Sequence, residues 1–235
     1  IIFENYGTVD KFIGDAIVGF FGAPVDVENH MVYALRSAIR MVEELPMVND
    51  EFERRKGQFP GFDGLVFEHG LGLNTGMCSV GNMGSENPNI FNYTALGDNM
   101  NLGARLEALC KAYGVQIHIS EYTKDSIPDE FKDEFTLRSI DFIQVKGKTE
   151  PIKSFEVLHS THPFMLDSEA LKDYEKAYTM YQTKCFAESL EISKRLAEKY
   201  PKDKSSARLV ERCENFIENP PPADWNGVFV HTTKG

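Results

Sequence analysis

The chain has 235 residues, of which 42% are apolar, so it can bury a sizeable core as one large domain or as a medium domain plus a small one. Its formal net charge of −11 argues against a nucleic-acid or anionic-membrane surface, because such surfaces need basic patches. No apolar run approaches the roughly 20 residues of a membrane span, and the four cysteines form no CxxC pair, so we expect a reducing, cytoplasmic compartment for this part of the chain.

The first predicted elements are the end of a helix and a β-hairpin. Residues 1–6 are typical of the last turns of a helix that stops at Gly7, and we therefore expect the chain to begin inside an element, as a fragment would. Residues 8–22 predict a strand, a tight turn at Gly14 and Asp15, and a second strand. Lys11 and Asp15 lie four residues apart near the tip of this hairpin.

A helix over residues 28–45 follows, and Pro46 is expected to kink or end it. Residues 52–65 form a connection, and residues 66–76 predict a strand followed by a turn. Residues 81–92 are rich in Asn and Gly, which favours a polar loop without regular structure.

Residues 92–107 carry polar side chains at intervals that a bound nucleotide could use. Thr94 ends a strand, a turn follows, and in the next helix Asn101 and Arg105 lie four residues apart, hence on one face. A neighbouring apolar face is formed by three leucines, Leu102, Leu106 and Leu109. The core therefore needs the leucines but has no use for Asn101 or Arg105.

The rest of the first region interleaves strands with helices. A helix over 101–113, a strand over 115–119, a helical turn over 121–126 and two or three strands within 135–158 predict an α/β (α+β) sandwich with a mostly antiparallel sheet.

Beyond residue 168 the composition shifts to helix formers. Residues 171–184, 187–200 and 205–217 predict three amphipathic helices, resembling one tetratricopeptide-like pair plus a cap. One such unit cannot bury its own apolar face, so it must pack on the preceding region or on a partner. We place the boundary between residues 1–160 and 161–235 and expect Trp225, in the tail, to dock back.

Three separated motifs occur in an order typical of one family: KFIGD at 11–15, YTALGDNMNLGARLE at 93–107 and VKGK at 145–148. Over residues 1–158 the chain resembles the class III nucleotidyl cyclase catalytic domain. The resemblance implies a ferredoxin-like core with extra hairpin strands, and conversion of ATP to 3′,5′-cyclic AMP and pyrophosphate at active sites shared across a homodimer. Family members open with a strand carrying a first metal-binding Asp that is missing here, so we expect this chain alone to be incomplete.

The resemblance also implies two Mg²⁺ or Mn²⁺ ions at each site. It makes Asp15 the second metal ligand, with a backbone carbonyl near Ile13 completing the shell. Carboxylate and carbonyl oxygens are the ligands that such hard cations prefer. The alternative is a turn Asp that satisfies its own backbone.

Lys11 and Thr94 resemble the family's adenine-selecting pair. A Lys can donate to adenine N1 and a Thr hydroxyl can accept from the exocyclic amine, whereas guanine presents the opposite polarity at both points. Taken singly, each has an ordinary explanation, a solvated strand Lys and a β-forming Thr.

Asn101 and Arg105 match the family's transition-state residues, with Asn orienting the ribose and Arg contacting the α-phosphate. Lys146 matches the Lys that grips the terminal phosphates. Arg105 could instead pair with Glu107 or Glu121, and Lys146 could be a hairpin surface residue. One departure is that residues 85–92 offer no basic residue where the family usually carries one.

Two other functions stay open. One is a nucleotide-binding or dimerisation module without turnover, whose helical extension recruits a partner, and the other is a guanylate cyclase. Family members often carry upstream sensor domains, some with membrane anchors, about which these residues say nothing.

Overall fold

The computed structural model describes residues 1–58, 64–85, 90–143 and 151–228. The strands are β1 Gly7–Ile13, β2 Ala16–Phe21, β3 Leu71–Leu73, β4 Ser79–Ser85, β5 Ile90–Leu96, β6 Ile117–Ser120, β7 Leu137–Ile143 and β8 Ile152–Val157. The helices are α1 His30–Arg54, α2 Asp98–Tyr113, α3 Glu121–Asp125, α4 Ser168–Gln182, α5 Phe186–Lys199 and α6 Lys204–Glu218. Short 3₁₀ turns span Phe3–Asn5, Asp129–Glu134 and Pro163–Met165.

A four-stranded sheet in the order β3-β6-β8-β7 forms the centre. β3 runs parallel to β6, whereas β8 pairs antiparallel with both β6 and β7, so the predicted mostly antiparallel α+β architecture is confirmed. Every residue of β6 is buried, because helices cover both faces. Ile117 and Ile119 pack against α1, while the Nδ1 of His118, on the opposite face, lies 3.1 Å from the Leu106 carbonyl oxygen of α2.

Two hairpins complete the β-structure, and one of them corrects the sequence prediction. The predicted β1–β2 hairpin is present. Residues 81–92, expected as an irregular loop, instead belong largely to an antiparallel hairpin in which Gly81 pairs with Thr94 and Ser85 with Ile90. The hydrogen bonds between paired strands join backbone N–H and C=O groups, which Gly and Asn also have. The high Asn and Gly content therefore did not predict that these residues form a hairpin. Residues 86–89 lie outside the described residues.

Helix α1 also runs further than predicted, since it continues through Pro46 to Arg54. Its first part packs an apolar face, including Leu35, against the sheet. Contacts from a distant segment hold the part beyond Pro46. Asn49 exchanges two hydrogen bonds of 3.0 and 2.8 Å with the Phe67 backbone, and the rings of Phe52 and Phe67 lie 4.6 Å apart. Tertiary contacts thus outweigh the local cost of a helical proline.

Two smaller boundaries differ from the prediction. The strand expected within residues 66–76 is only Leu71–Leu73. The first turn of the chain ends at Tyr6, which takes the left-handed conformation at φ 62°, and Gly7 already belongs to β1.

The three predicted C-terminal helices are present as α4, α5 and α6. They share one apolar cluster, in which the ring of Trp225 lies 5.1 Å from that of Phe216, so the predicted docking of the tail is confirmed. They also contact β7, because Ser139 N donates to Glu175 of α4 at 2.6 Å. The unit therefore packs on the preceding region, one of the two predicted outcomes. Its tetratricopeptide-like character and the boundary at residue 160 stay predictions.

Within the described ranges, no helix combines the length and the apolar content that crossing a bilayer requires.

Candidate active site

The tip of the β1–β2 hairpin presents two of the predicted metal-binding groups. Gly14 occupies the left-handed region at φ 63°, which the tight turn requires and which Gly adopts without a Cβ clash. Asp15 is exposed beside it, and Ile13 is 61% exposed. Among the described residues the Asp15 carboxylate has no hydrogen-bond or ion-pair partner, so the turn-capping alternative is not formed in this structure.

Lys11 and Thr94 meet although 83 residues separate them. The Lys11 Nζ donates to the Thr94 Oγ1 at 3.0 Å. Thr94 is 6% exposed, whereas the Lys11 side chain is 44% exposed. Strand β1 lies beside β5, and the rings of Phe20 and Tyr93 pack at 6.1 Å between the two hairpins. The contact therefore has one buried member and one that a ligand can reach.

Helix α2 follows β5 directly and exposes the two predicted polar residues. Asn101 and Arg105 are both exposed, while Leu102 and Leu106 are buried at 2% and 1% exposure. Arg105 forms no ion pair within 4 Å with any described residue. Glu121, one of its two alternative partners, accepts a hydrogen bond from the Lys153 backbone N–H instead.

A glycine in β3 sets how closely α2 approaches the sheet. A Cβ added at Gly72 would lie 2.2 Å from both the Glu107 nitrogen and the Gly103 carbonyl oxygen. These are backbone atoms, which cannot rotate away, so only Gly fits at this position.

The far end of α2 is held from two sides. On the sheet, His118 donates to the Leu106 carbonyl, and burial lowers its pKa to about 4, so its ring is neutral near pH 7. From α6, Ser205 Oγ donates to the Tyr113 carbonyl at 3.1 Å, and Arg208 donates to the Ala112 carbonyl. The sequence had given no sign that α6 would satisfy the last carbonyl groups of α2.

The metal-binding chemistry is only partly supplied by the residues described. Asp15 offers a carboxylate and Ile13 a carbonyl, which are suitable oxygen donors for Mg²⁺ or Mn²⁺. The described part of the chain contains no group of three His, Cys, Asp or Glu side chains that could hold a metal ion. These two donors fit such an ion in type, but the remaining ligands must come from elsewhere.

Lys146 and its VKGK motif fall within residues 144–150, outside the described residues. The structure therefore places Lys11 against Thr94, puts Asp15 and Ile13 at the hairpin tip and exposes Asn101 and Arg105 on α2. The roles predicted for these residues stay predictions.

Sequence reasoning missed Asp10. Its side chain is 2% exposed, and its Oδ2 lies 3.3 Å from the Lys11 Nζ. Neighbours along a regular strand point to opposite faces, so adjacency in sequence gave no reason to expect this contact.

The sequence profile of the adenylate and guanylate cyclase catalytic domain matches residues 5–159. The chain belongs to this cyclase family. The match covers both hairpins, α2 and the central sheet, so the class III resemblance in fold and family is confirmed.

Two relatives are cyclases by name. The terminal-differentiation specific adenylate cyclase of Dictyostelium discoideum is 34% identical over 219 residues, which are 92% of this chain and 10% of that protein. An adenylate cyclase of Anabaena cylindrica is 34% identical over 156 residues, 66% of this chain and 28% of that protein. This cyclase chain thus spans a minor part of the relatives that it matches.

Two solved cyclase structures are equally similar to it. The adenylyl cyclase CyaB from P. aeruginosa has a TM-score of 0.55 at 29% identity, covering 68% of this chain and 76% of that one. The guanylyl cyclase Cya2 has a TM-score of 0.55 at 29% identity, covering 69% and 75%. Overall similarity therefore does not distinguish an adenylyl from a guanylyl cyclase.

Proposed function

We propose that this cyclase domain converts ATP to 3′,5′-cyclic AMP and pyrophosphate. The observation that carries the proposal is the hydrogen bond of 3.0 Å from Lys11 Nζ to Thr94 Oγ1. It supports ATP over GTP, a choice that the equal similarity to an adenylyl and a guanylyl cyclase structure leaves open.

The polarity of this pair matches adenine. The Lys11 ammonium has only donors, so it suits the N1 acceptor of adenine and opposes the N1–H of guanine. The Thr94 hydroxyl keeps a second lone pair for the exocyclic amine after it accepts from Lys11. Because Thr94 is nearly buried, a mismatched base would leave polar groups unpaired there. Unpaired buried groups can lower kcat/KM for the wrong substrate by ~10⁴ relative to the right one.

The remaining matched residues would act on the ribose and the phosphates. The 3′ hydroxyl gives up its proton to water, its oxygen attacks the α-phosphorus, the bond from that phosphorus to the bridging oxygen of the β-phosphate breaks, and pyrophosphate leaves. In our proposal Asn101 orients the ribose, Arg105 contacts the α-phosphate as negative charge develops, and Lys146 binds the terminal phosphates. Each donor of this kind is worth about 10²–10³ in rate.

Asp15 and the Ile13 carbonyl would hold divalent cations at the hairpin tip. Bound Mg²⁺ or Mn²⁺ would supply charge neutralisation at the phosphates and a lower pKa for the attacking hydroxyl.

We further propose that the catalytic form is a homodimer. Large apolar side chains are exposed on the first hairpin, with Phe12 70% and Ile17 58% accessible, and near the β4–β5 hairpin, with Met77 91% and Leu96 52% accessible. A second copy would cover these surfaces and would add its own residues to each site.

The test compares cyclic AMP and cyclic GMP formation from Mn-ATP and Mn-GTP by the gene's full-length product. We expect the unmodified protein to prefer ATP and Lys11→Glu to lose at least about a hundredfold in kcat/KM for ATP. Lys172→Glu makes the same charge change at an exposed position on α4 and should leave ATP turnover unaltered.

Other outcomes would point to the alternatives. A preference for GTP that survives Lys11→Glu would indicate a guanylate cyclase. Binding of ATP with no product in Mn²⁺, measured by calorimetry alongside the assay, would indicate a binding module. Either result rejects the proposed reaction.

A further inference from the structure

The carboxylate of Asp10 is buried, and the described fold does not explain why. Its side chain is 2% exposed, and neither oxygen receives a hydrogen bond from any described residue. Buried polar groups are normally hydrogen-bonded, because desolvation without a partner destabilises the fold. The group facing it is the Lys11 ammonium, 3.3 Å away but outside hydrogen-bonding direction.

A β-bulge creates this contact. In the β1–β2 ladder Val9 pairs with Gly19 and Lys11 with Val18, so Asp10 is an extra residue without an opposite partner. A bulge breaks the alternation of side chains and re-aims them, and this is how two neighbours in sequence come to face each other. Bulges are frequent next to functional sites.

The ammonium group of Lys11 is thereby held from two directions. One direction leads to the Asp10 carboxylate and another to the Thr94 hydroxyl at 3.0 Å. An ammonium has three N–H donors, and the hydrogen bond to Thr94 uses one of them, so the group can still donate to a ligand. The charge of Asp10 and the bond to Thr94 together limit how far the ammonium can move.

We propose that Asp10 is a positioning residue for base selection, acting through Lys11. This inference rests on the proposed use of Lys11 and Thr94 to bind adenine. With the ammonium held, a free N–H of this group meets an acceptor on adenine N1 but a donor on guanine N1. Released from Asp10, the flexible Lys side chain can swing to the O6 acceptor of guanine, so discrimination falls.

The experiment measures KM and kcat for Mn-ATP and Mn-GTP, and the melting temperature, in the full-length protein and in Asp10→Asn and Asp10→Ser. We expect the ratio of kcat/KM for ATP to that for GTP to fall about tenfold in both variants. This fall corresponds to about 1.4 kcal/mol. It should arise mainly from a higher KM for ATP, with kcat changed little.

Stability separates positioning from a purely structural role. Both variants remove a poorly paired buried charge, so we expect melting temperatures equal to or above that of the unmodified protein. Glu156→Gln is the matched control, because Glu156 is also buried but pairs with Arg138, far along the chain from Lys11. It should lower the melting temperature and leave the nucleotide ratio unaltered.

Three results overturn the inference. If the unmodified protein prefers ATP and both variants keep its ratio within twofold, Asp10 has no positioning role, while the proposed function stands. If both variants melt earlier and lose ATP and GTP turnover equally, Asp10 is structural. If the unmodified protein shows no preference for ATP, the proposed function fails and this inference fails with it.

Discussion

Removing Arg212 tests whether the C-terminal helices are an energetic part of the cyclase fold. The Arg212 Nη2 of α6 lies 2.6 Å from the Oδ2 of Asp141 in β7, and their side chains are 4% and 0% exposed. Asp141 also accepts from the Tyr113 hydroxyl at the end of α2 and from the Phe142 backbone N–H. One carboxylate thus joins three elements, α2, β7 and α6.

The substitution Arg212→Leu replaces the guanidinium with an apolar side chain and leaves the Asp141 carboxylate buried without its positively charged partner. Loss of one partner of a buried ion pair destabilises a protein by about 3–5 kcal/mol. The two remaining donors to Asp141 favour the lower end, about 3 kcal/mol. For a chain of this size that corresponds to a fall in melting temperature of about 6–12 °C.

Urea unfolding followed by circular dichroism and by Trp225 fluorescence measures the loss. Lys194→Leu is the control, because the Lys194–Glu214 pair on α5 and α6 is half-exposed at 2.7 Å and should be worth less than about 1 kcal/mol. The double variant Arg212→Leu, Asp141→Leu should recover part of the loss, since no charge then stays unpaired. A loss for Arg212→Leu no greater than that for Lys194→Leu would refute the reasoning.

Three further outcomes are expected. The folded His118 has a pKa of about 4 against 6.5 when unfolded, so between these pH values the unfolded chain binds more protons than the folded one. The free energy of unfolding therefore falls as the pH is lowered, by about 3 kcal/mol in full. His118→Asn should flatten this dependence in urea titrations from pH 7 to 4, and an unchanged slope would exclude His118 as its source. Gly72→Ala should destabilise the protein by several kcal/mol and abolish turnover, because its Cβ would push α2 and its polar residues outward; normal activity would show that the contact between α2 and β3 can relax. Trp225→Ala should cost about 1–3 kcal/mol by opening the aromatic cluster with Phe216, and a melting temperature equal to that of the unmodified protein would show that the tail contributes nothing.

The sequence was a good guide wherever a local signal and the tertiary contacts agreed. The turn at Gly14 and Asp15 predicted the first hairpin, and the three C-terminal helices were found with boundaries within a few residues. The leucine spacing around Asn101 correctly gave the buried and exposed faces of α2. In each case the information lies within one helix turn or one strand pair, where periodicity and turn chemistry act.

The sequence was a poor guide wherever contacts with distant segments outweighed a local structural propensity. Composition placed an irregular loop at residues 81–92, but pairing with β5 made Ser79–Ser85 a strand. Pro46 was expected to kink or end α1; the helix does not end there, because contacts from Phe67 hold its last turns to Arg54. Local propensities are worth about 1 kcal/mol or less per residue, and about 3 kcal/mol for a proline inside a helix, which several packed side chains and hydrogen bonds can exceed.

By itself, the sequence determined the family, because three motifs in a fixed order can be recognised without coordinates. It also determined which residue types are available for contacts with a base and with phosphates. Only the tertiary structure decided which of these side chains meet. Lys11 and Thr94 are 83 residues apart, and their contact exists because β1 lies beside β5. The neighbour of Lys11 faces it only because a bulge in β1 breaks the alternation that a strand would otherwise impose.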